Sequence, residues 1–181
     1  GVGKLKIMGV DAKKSATPET LRDWMKDCFP VFLFGEEDEY QRKIVEYREK
    51  HGKLDPTSIA VNSSVNIISR YTDASGRPGK GAPMNTRAAI TYNRAIRSHD
   101  LTERYMGITE GDKIKFVLLK TPNKFASNVI GWNDDYPKEL GLDGVIDYSA
   151  MFEKTFVKPM MTISTPIGWE AVNRPKMDDT W

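Results

Sequence analysis

The feature that most limits the fold of this chain is a run of apolar residues that repeats every three or four positions between residues 21 and 32. That spacing places the side chains on one face of an α-helix, so it predicts an amphipathic helix. Thr17 can cap this helix, and Pro18 suits its first turn, where no backbone N–H is needed. Pro30 is expected to kink or end it. Cys28 lies on the apolar face and is interpreted as a core residue, because free cysteines are usually buried.

Helical and extended patterns alternate along the rest of the chain. Helices are predicted at 35–52, closed by His51 and Gly52, at 86–98, and at 145–160, where Pro159 stops the helix. Strands are predicted at 5–10, 113–120 and 128–132, the last two joined by a turn around Pro122. Residues 58–71 read as a short strand and a short helix, and residues 72–85 as a loop. These elements predict one domain of the α+β class, dominated by helices, with a small antiparallel β element.

Composition excludes several kinds of site. The single cysteine allows no internal disulfide, which fits a reducing compartment. Of the two histidines, His51 ends a predicted helix and His99 follows one; neither has a cysteine cluster beside it, so a structural zinc site is not expected. Asp73 stands alone in a Gly/Pro-rich loop and is assigned to a turn, since a two-metal centre needs paired carboxylates. An independent hydrolase or nuclease is therefore the weakest of the functional hypotheses.

The distribution of cations is more informative than their number, because the net charge is only +2. Three separated segments carry grouped cations without a close acid: Lys13 and Lys14 at the end of the first strand, an arginine stripe on the 86–98 helix, and Lys154 with Lys158 one turn apart. Such groups suit contacts to successive phosphates. No aromatic ladder accompanies them, which favours duplex over single-stranded nucleic acid. An ordinary solvated face remains the alternative for the arginine stripe.

Four stretches resemble family B DNA polymerases. Residues 4–18 (KLKIMGVDAKKSATP) resemble the segment that leads from palm to thumb, with Lys6, Gly9, Asp11 and then the basic pair; the Lys-Ile-Met-Gly spelling is similar to replicative polymerases of T-even-type bacteriophages. RAAITYNRAI, KIKFVLLK…NVIGW and FEKTFVKPM resemble, in the expected order, that family's thumb helix, paired strands and last helix.

The resemblance implies a C-terminal thumb region of a DNA-directed DNA polymerase, a nucleotidyltransferase of DNA replication in the cytoplasm of the infected host cell. It implies a connecting strand at 1–16, a thumb domain at 17–161 and an extended tail at 162–181. The thumb grips primer–template DNA, while palm aspartates bind Mg²⁺; the palm and exonuclease motifs are absent here. The chain is therefore expected to be non-catalytic alone, with no cofactor of its own and no membrane association, and to partner the palm and exonuclease portion.

The expected contacts follow from these cations and motifs. A sliding clamp is a further expected partner, with Trp181 as the candidate anchor, although the usual apolar pair is missing. The alternative is a separately encoded subunit that docks on the catalytic palm fragment; it should expose one continuous apolar patch. The Gly-Val-Gly start without Met indicates a processed chain, an expression scar or an excised piece. The candidate DNA-binding residues are Lys6, Lys13, Lys14, Ser15, Arg77, Lys80, Arg87, Arg94, Arg97, Lys154 and Lys158.

Overall fold

The computed structural model describes residues 17–171, which form helices and one small sheet. The predicted strand at 5–10, the candidates Lys6, Lys13, Lys14 and Ser15, and Trp181 lie outside the described residues. The elements run in the order α1 (Glu19–Phe34), α2 (Glu37–His51), α3 (Pro56–Ile59), β1 (Val61–Ser64), α4 (Met84–Ser98), β2 (Lys113–Leu118), β3 (Val129–Trp132), α5 (Tyr148–Phe152) and α6 (Lys158–Ser164). The helix-dominated α+β class is confirmed.

The three strands form an antiparallel sheet in the order β1-β2-β3. Helix α4 packs across β3, and Gly131 permits the close approach. A Cβ atom at Gly131 would lie 3.0 Å from the Lys115 carbonyl oxygen and 3.4 Å from the Ala88 Cβ atom. Since Phe116 stands opposite Gly131, the Phe116 side chain lies on the same face of the sheet as a Cβ at Gly131 would, which is the face that α4 covers.

The apolar residues collect in two clusters that meet at α5. One cluster surrounds the sheet, with α4 against one of its faces, and includes the fully buried Tyr92 and Trp132. The other is formed by α1, α2 and the helices after Tyr148. Neighbouring residues of α5 divide between the clusters, because Met151 belongs to the first and Phe152 to the second. The helix α5 therefore joins the two packing units.

The first helix confirms its apolar face but not its predicted ends. Leu21, Met25 and Cys28 are buried. The capping prediction is wrong: Pro18 occupies the N-cap position and no side chain caps the helix. Pro30 does not end the helix, which continues to Phe34, because the burial of the α1 face against α2 outweighs the lost backbone bond at one proline.

The last helix is longer than predicted and contains a π turn. Residues Glu153–Val157 form a π-helical turn between α5 and α6, so Pro159 lies in the first turn of a new helical segment, where its missing N–H is tolerated. The prediction that Pro159 stops the helix is therefore wrong. The helix reaches Ser164, and a 3₁₀ turn follows at Thr165–Ile167.

The segment after this helix folds back instead of extending from Thr162. The Trp169 ring centroid lies 5.5 Å from that of Tyr40 and 6.1 Å from that of Phe32. Gln41 donates a hydrogen bond of 2.7 Å to the Glu170 carbonyl oxygen. The predicted extended conformation is thus wrong for residues 162–171, because aromatic packing on α1 and α2 draws the chain back.

Candidate nucleic-acid interface

Positive charge is concentrated in the part of the chain that contains α4. Residues 66–99 carry six cations against one carboxylate, Asp73, although the whole chain has a net charge of only +2. The excess is therefore local, and it is offset by acidic residues elsewhere. The six cations are Arg70, Arg77, Lys80, Arg87, Arg94 and Arg97.

Helix α4 carries its three arginines within an arc of about 80° around its axis. At about 100° per residue, Arg94 lies about 20° from Arg87 and about 60° from Arg97 around the helix axis. Arg87 and Arg94 are half-buried and Arg97 is exposed. Within residues 17–171, ion pairs join Lys26 to Asp23 and Arg104 to Glu139, and neither involves these arginines. We name the side of α4 that carries Arg87, Arg94 and Arg97 the arginine ridge.

The loop before α4 uses its one carboxylate internally. The Asp73 Oδ1 atom accepts hydrogen bonds from the Ser75 hydroxyl at 2.6 Å, the Ser75 N–H at 2.8 Å and the Arg77 N–H at 2.9 Å. These bonds lower the pKa of Asp73, with the Ser75 hydroxyl as the largest cause. The assignment of Asp73 to a turn is confirmed. The same turn leaves the side chains of Arg77 and Lys80 exposed.

Arg97 connects this loop to the arginine ridge. Gly76 has a φ of +77°, which favours glycine, and a Cβ atom there would lie 3.0 Å from Arg97 Nη2. The guanidinium of Arg97 therefore rests against the loop backbone. This contact places the Arg77 loop on one side of the ridge.

A second loop lies on the other side of the ridge, and sequence reasoning missed it. Arg87 donates a hydrogen bond to the Asn128 side-chain oxygen, and the Thr91 hydroxyl donates to the Ser127 hydroxyl at 3.1 Å. Both acceptors belong to the connection between β2 and β3. Residues 119–128 contain two lysines and no acid, which is a signal that could have identified the loop.

The lysines of the last helix lie on the other packing unit. Lys154 is half-buried in the π turn and Lys158 is exposed at the start of α6. Their helices pack with α1 and α2, whereas α4 packs on the sheet. Lys154 and Lys158 therefore belong to a different packing unit from the arginine ridge, and a contact of both cation groups with one duplex stays a prediction.

Cys28 and His51, two further groups that could do chemistry, are buried in the core. Cys28 is fully buried, and burial raises the pKa of its thiol to about 12, which suits a core residue. His51 ends α2 and His99 follows α4, as predicted; burial lowers the pKa of His51 to about 4. In the part of the chain from 17 to 171, no group of three or more His, Cys, Asp and Glu residues is arranged to hold a metal ion.

Among residues 17–171, no helix combines the length and the apolar character needed to cross a bilayer.

Known proteins with a similar sequence are phage polymerases. No protein-family model matches the chain. The chain is 29% identical over 178 residues to the DNA-directed DNA polymerase of Enterobacteria phage T4, which covers 96% of the chain and 19% of the polymerase. It is 35% identical over 161 residues to the DNA-directed DNA polymerase of Escherichia phage RB69, which covers 87% of the chain and 17% of the polymerase.

These matches extend well beyond the four motifs. The chain spans less than a fifth of the length of either polymerase. The resemblance that the motifs indicated is confirmed, since both alignments cover most of the chain. This chain is related, over most of its length, to the DNA-directed DNA polymerases of T-even-type phages.

Proposed function

We propose that this chain is the thumb region of a phage family B DNA polymerase and that it holds the primer–template duplex by its phosphate backbone. The relation to two phage polymerases supports the assignment to such an enzyme. The observation that carries the DNA contact is the arginine ridge, which has a cationic loop beside it. The carboxylate of the loop before α4, on Asp73, is already bound within its own turn.

Phosphate contacts give the kind of grip that a moving polymerase needs. Cations that meet phosphates position a protein on the duplex without reading its sequence. Each neutralised phosphate releases counterions, so the binding should weaken steeply as salt rises. Arg77, Lys80, Arg87, Arg94 and Arg97 supply these contacts on one packing unit. Lys154 and Lys158 supply them on the other, and the proposal extends to Lys6, Lys13, Lys14 and Ser15.

The proposed role is separate from nucleotidyl transfer. The Mg²⁺ ions and their carboxylate ligands belong to the palm, in the part of the polymerase that this chain does not span. The chain therefore acts together with a palm and exonuclease portion, and it does not extend a primer alone. Trp181 is proposed as an anchor for a sliding clamp; Trp181→Ala should abolish capture of the clamp if this is so.

A salt-dependent titration tests the DNA grip. The 181-residue chain is titrated against a fluorescent primer–template duplex at several salt concentrations, and the slope of log affinity against log salt is measured. Arg94→Gln should reduce the slope by about 0.9, the contribution of one phosphate contact. Arg104→Gln is the matched control, because Arg104 is paired with Glu139 at 2.8 Å and should leave the slope unchanged.

Two results would contradict the proposal. One is a duplex affinity that does not depend on salt. The other is a slope that Arg94→Gln and Arg104→Gln alter equally. Different affinities for duplexes of unrelated sequence would instead show that the contacts read bases.

A second candidate function, docking on the catalytic fragment, is favoured by an exposed apolar site at the end of α1. The side chain of Phe34 is 88% exposed, and its neighbour Leu33 is 48% exposed. Apolar groups left exposed in this way suit a protein contact. Phe34→Ser should then abolish capture by the upstream polymerase fragment without changing duplex affinity. Undiminished capture would remove Phe34 from the contact.

A further inference from the structure

We infer that Lys120, in the connection between β2 and β3, is a further phosphate contact of the surface built on the arginine ridge. The ligand class is the phosphodiester backbone of duplex nucleic acid. This inference rests on the proposed function and extends it to a loop that the sequence motifs did not identify.

The strand register places Lys120 on the α4 side of the sheet. Leu118 is paired with Val129, and the Leu119 N–H donates to the Asn128 carbonyl oxygen at 2.8 Å. Continuing this antiparallel register sets Lys120 opposite Ser127. Side chains alternate along a strand, so Lys120 shares the face of Leu118 and Phe116. That face is the one covered by α4.

Contacts across this face bring Lys120 to the arginine ridge. The residue opposite Lys120, Ser127, accepts a hydrogen bond from Thr91 of α4 at 3.1 Å. Thr91 lies about 40° from Arg87 around the helix axis. Arg87 itself is bonded to Asn128, the next residue of the loop. Lys120 is therefore next to the contact that joins the loop to the ridge.

The backbone at Lys120 is held on both sides. Its N–H donates to the Val145 carbonyl oxygen at 2.7 Å. The side-chain amide of Asn123 donates to the carbonyl oxygens of Lys120 and Ser127, both at 2.7 Å. The side chain of Lys120 is exposed and takes part in none of the ion pairs found among residues 17–171. The fixed backbone thus presents a lysine side chain that is available for an anionic ligand.

The two loops together give the surface a defined shape. The Arg77 loop meets α4 through Arg97, and the Lys120 loop meets it through Arg87 and Thr91. Arg94 lies on the helix between these two attachments. Cations on both sides of a positive helix suit a phosphate backbone that follows the helix, because each side can neutralise a separate phosphate.

Lys124, the other lysine of the loop, is directed elsewhere. Its Nζ atom lies over the Phe125 ring, 5.2 Å from the centroid, and 3.2 Å from the position of a Cβ atom at Gly141. We therefore assign the phosphate contact to Lys120 alone.

The experiment is the same salt-dependent duplex titration, with the 181-residue chain and its Lys120→Gln variant. Glutamine keeps much of the apolar stem and removes the charge. The matched control is Lys113→Gln: Lys113 is an exposed lysine of β2, the strand that precedes the Lys120 loop, but it points to the opposite face of the sheet. Lys120→Gln should reduce the salt slope by about 0.9, and Lys113→Gln should not change it. Lys120→Arg should retain the slope.

Arg94→Gln separates this inference from the proposed function. If Arg94→Gln lowers the slope and Lys120→Gln does not, the contact at Lys120 is refuted and the DNA grip stands. If neither variant changes the slope, both are refuted. Thermal unfolding of each variant shows that it is folded; if Lys120→Gln is not, Lys120→Met is tested in its place against Lys113→Met.

Discussion

Acidification should destabilise this fold through His51, whose buried site favours the neutral imidazole. The side chain is 2% exposed and is surrounded by the rings of Tyr47, Tyr148 and Phe152, with centroids at 5.9, 5.9 and 5.4 Å. Its Nε2 atom has no hydrogen-bond partner among the described residues. Burial therefore disfavours the charged imidazolium and lowers the pKa of His51 from 6.5 to about 4.

The sign of the effect follows from proton binding. Between pH 6.5 and pH 4 the unfolded chain binds a proton at His51 and the folded chain does not, so stability falls as pH falls. Proton linkage gives a loss of about 2 kcal/mol at pH 5 and about 3 kcal/mol at pH 4. Above pH 6.5, the pKa of His51 in the unfolded chain, the stability that the neutral side chain supports is fully present.

Urea unfolding across this pH range measures the loss. Carboxyl groups also titrate in this pH range, so the wild type is compared with His51→Phe. In that variant an aromatic ring fills the same site without a titrating nitrogen. The stability of the wild type should fall more steeply than that of His51→Phe, by the amount given above. Equal losses in the wild type and His51→Phe would refute the reasoning.

Two further predictions concern packing, and both are measured by chemical unfolding. Gly131→Ala should destabilise the fold by about 1–3 kcal/mol, since the new Cβ atom would lie 3.0 Å from the Lys115 carbonyl oxygen; a neutral effect would show that β2 and β3 can shift to accommodate the methyl group. Phe156→Ala should cost about 3–5 kcal/mol, because its ring is fully buried against Trp24 at 4.8 Å. Phe34→Ala should change stability by less than about 0.5 kcal/mol, given its exposure, and similar losses in both variants would contradict the burial argument.

The long helices were predictable from sequence because their information is local. Helices α1, α2 and α4 each bury a face whose residues recur at helical spacing, so the pattern alone indicates them. The helix ends were less predictable. Whether α1 begins after Pro18 and continues past Pro30 depends on how the helix packs against its neighbours. The π turn is also a tertiary effect, because its hydrogen bonding shifts by one residue to suit the core.

The candidate site also contains one part that could be predicted from local sequence and one part that could not. The arginine stripe could be read from the spacing of Arg87, Arg94 and Arg97, because it depends on a single helix. The approach of Lys120 to that helix could not be read, since Arg87 and Asn128 are 41 residues apart in sequence. A strand register and a helix packing angle must both be known before those residues meet.

The π turn also determines the orientation of everything that follows it. Phe152, Phe156, Met160 and Ser164 are all buried at intervals of four residues, a spacing that drifts by about 40° per step in a regular α-helix. The wider turn cancels part of that drift and keeps the row directed at one neighbour. The orientation of the chain that follows, including Trp169, therefore depends on the one extra residue in the π turn. An insertion or deletion of one residue there would be felt at the far end of the helix as a rotation, even though every side chain in the row was unchanged.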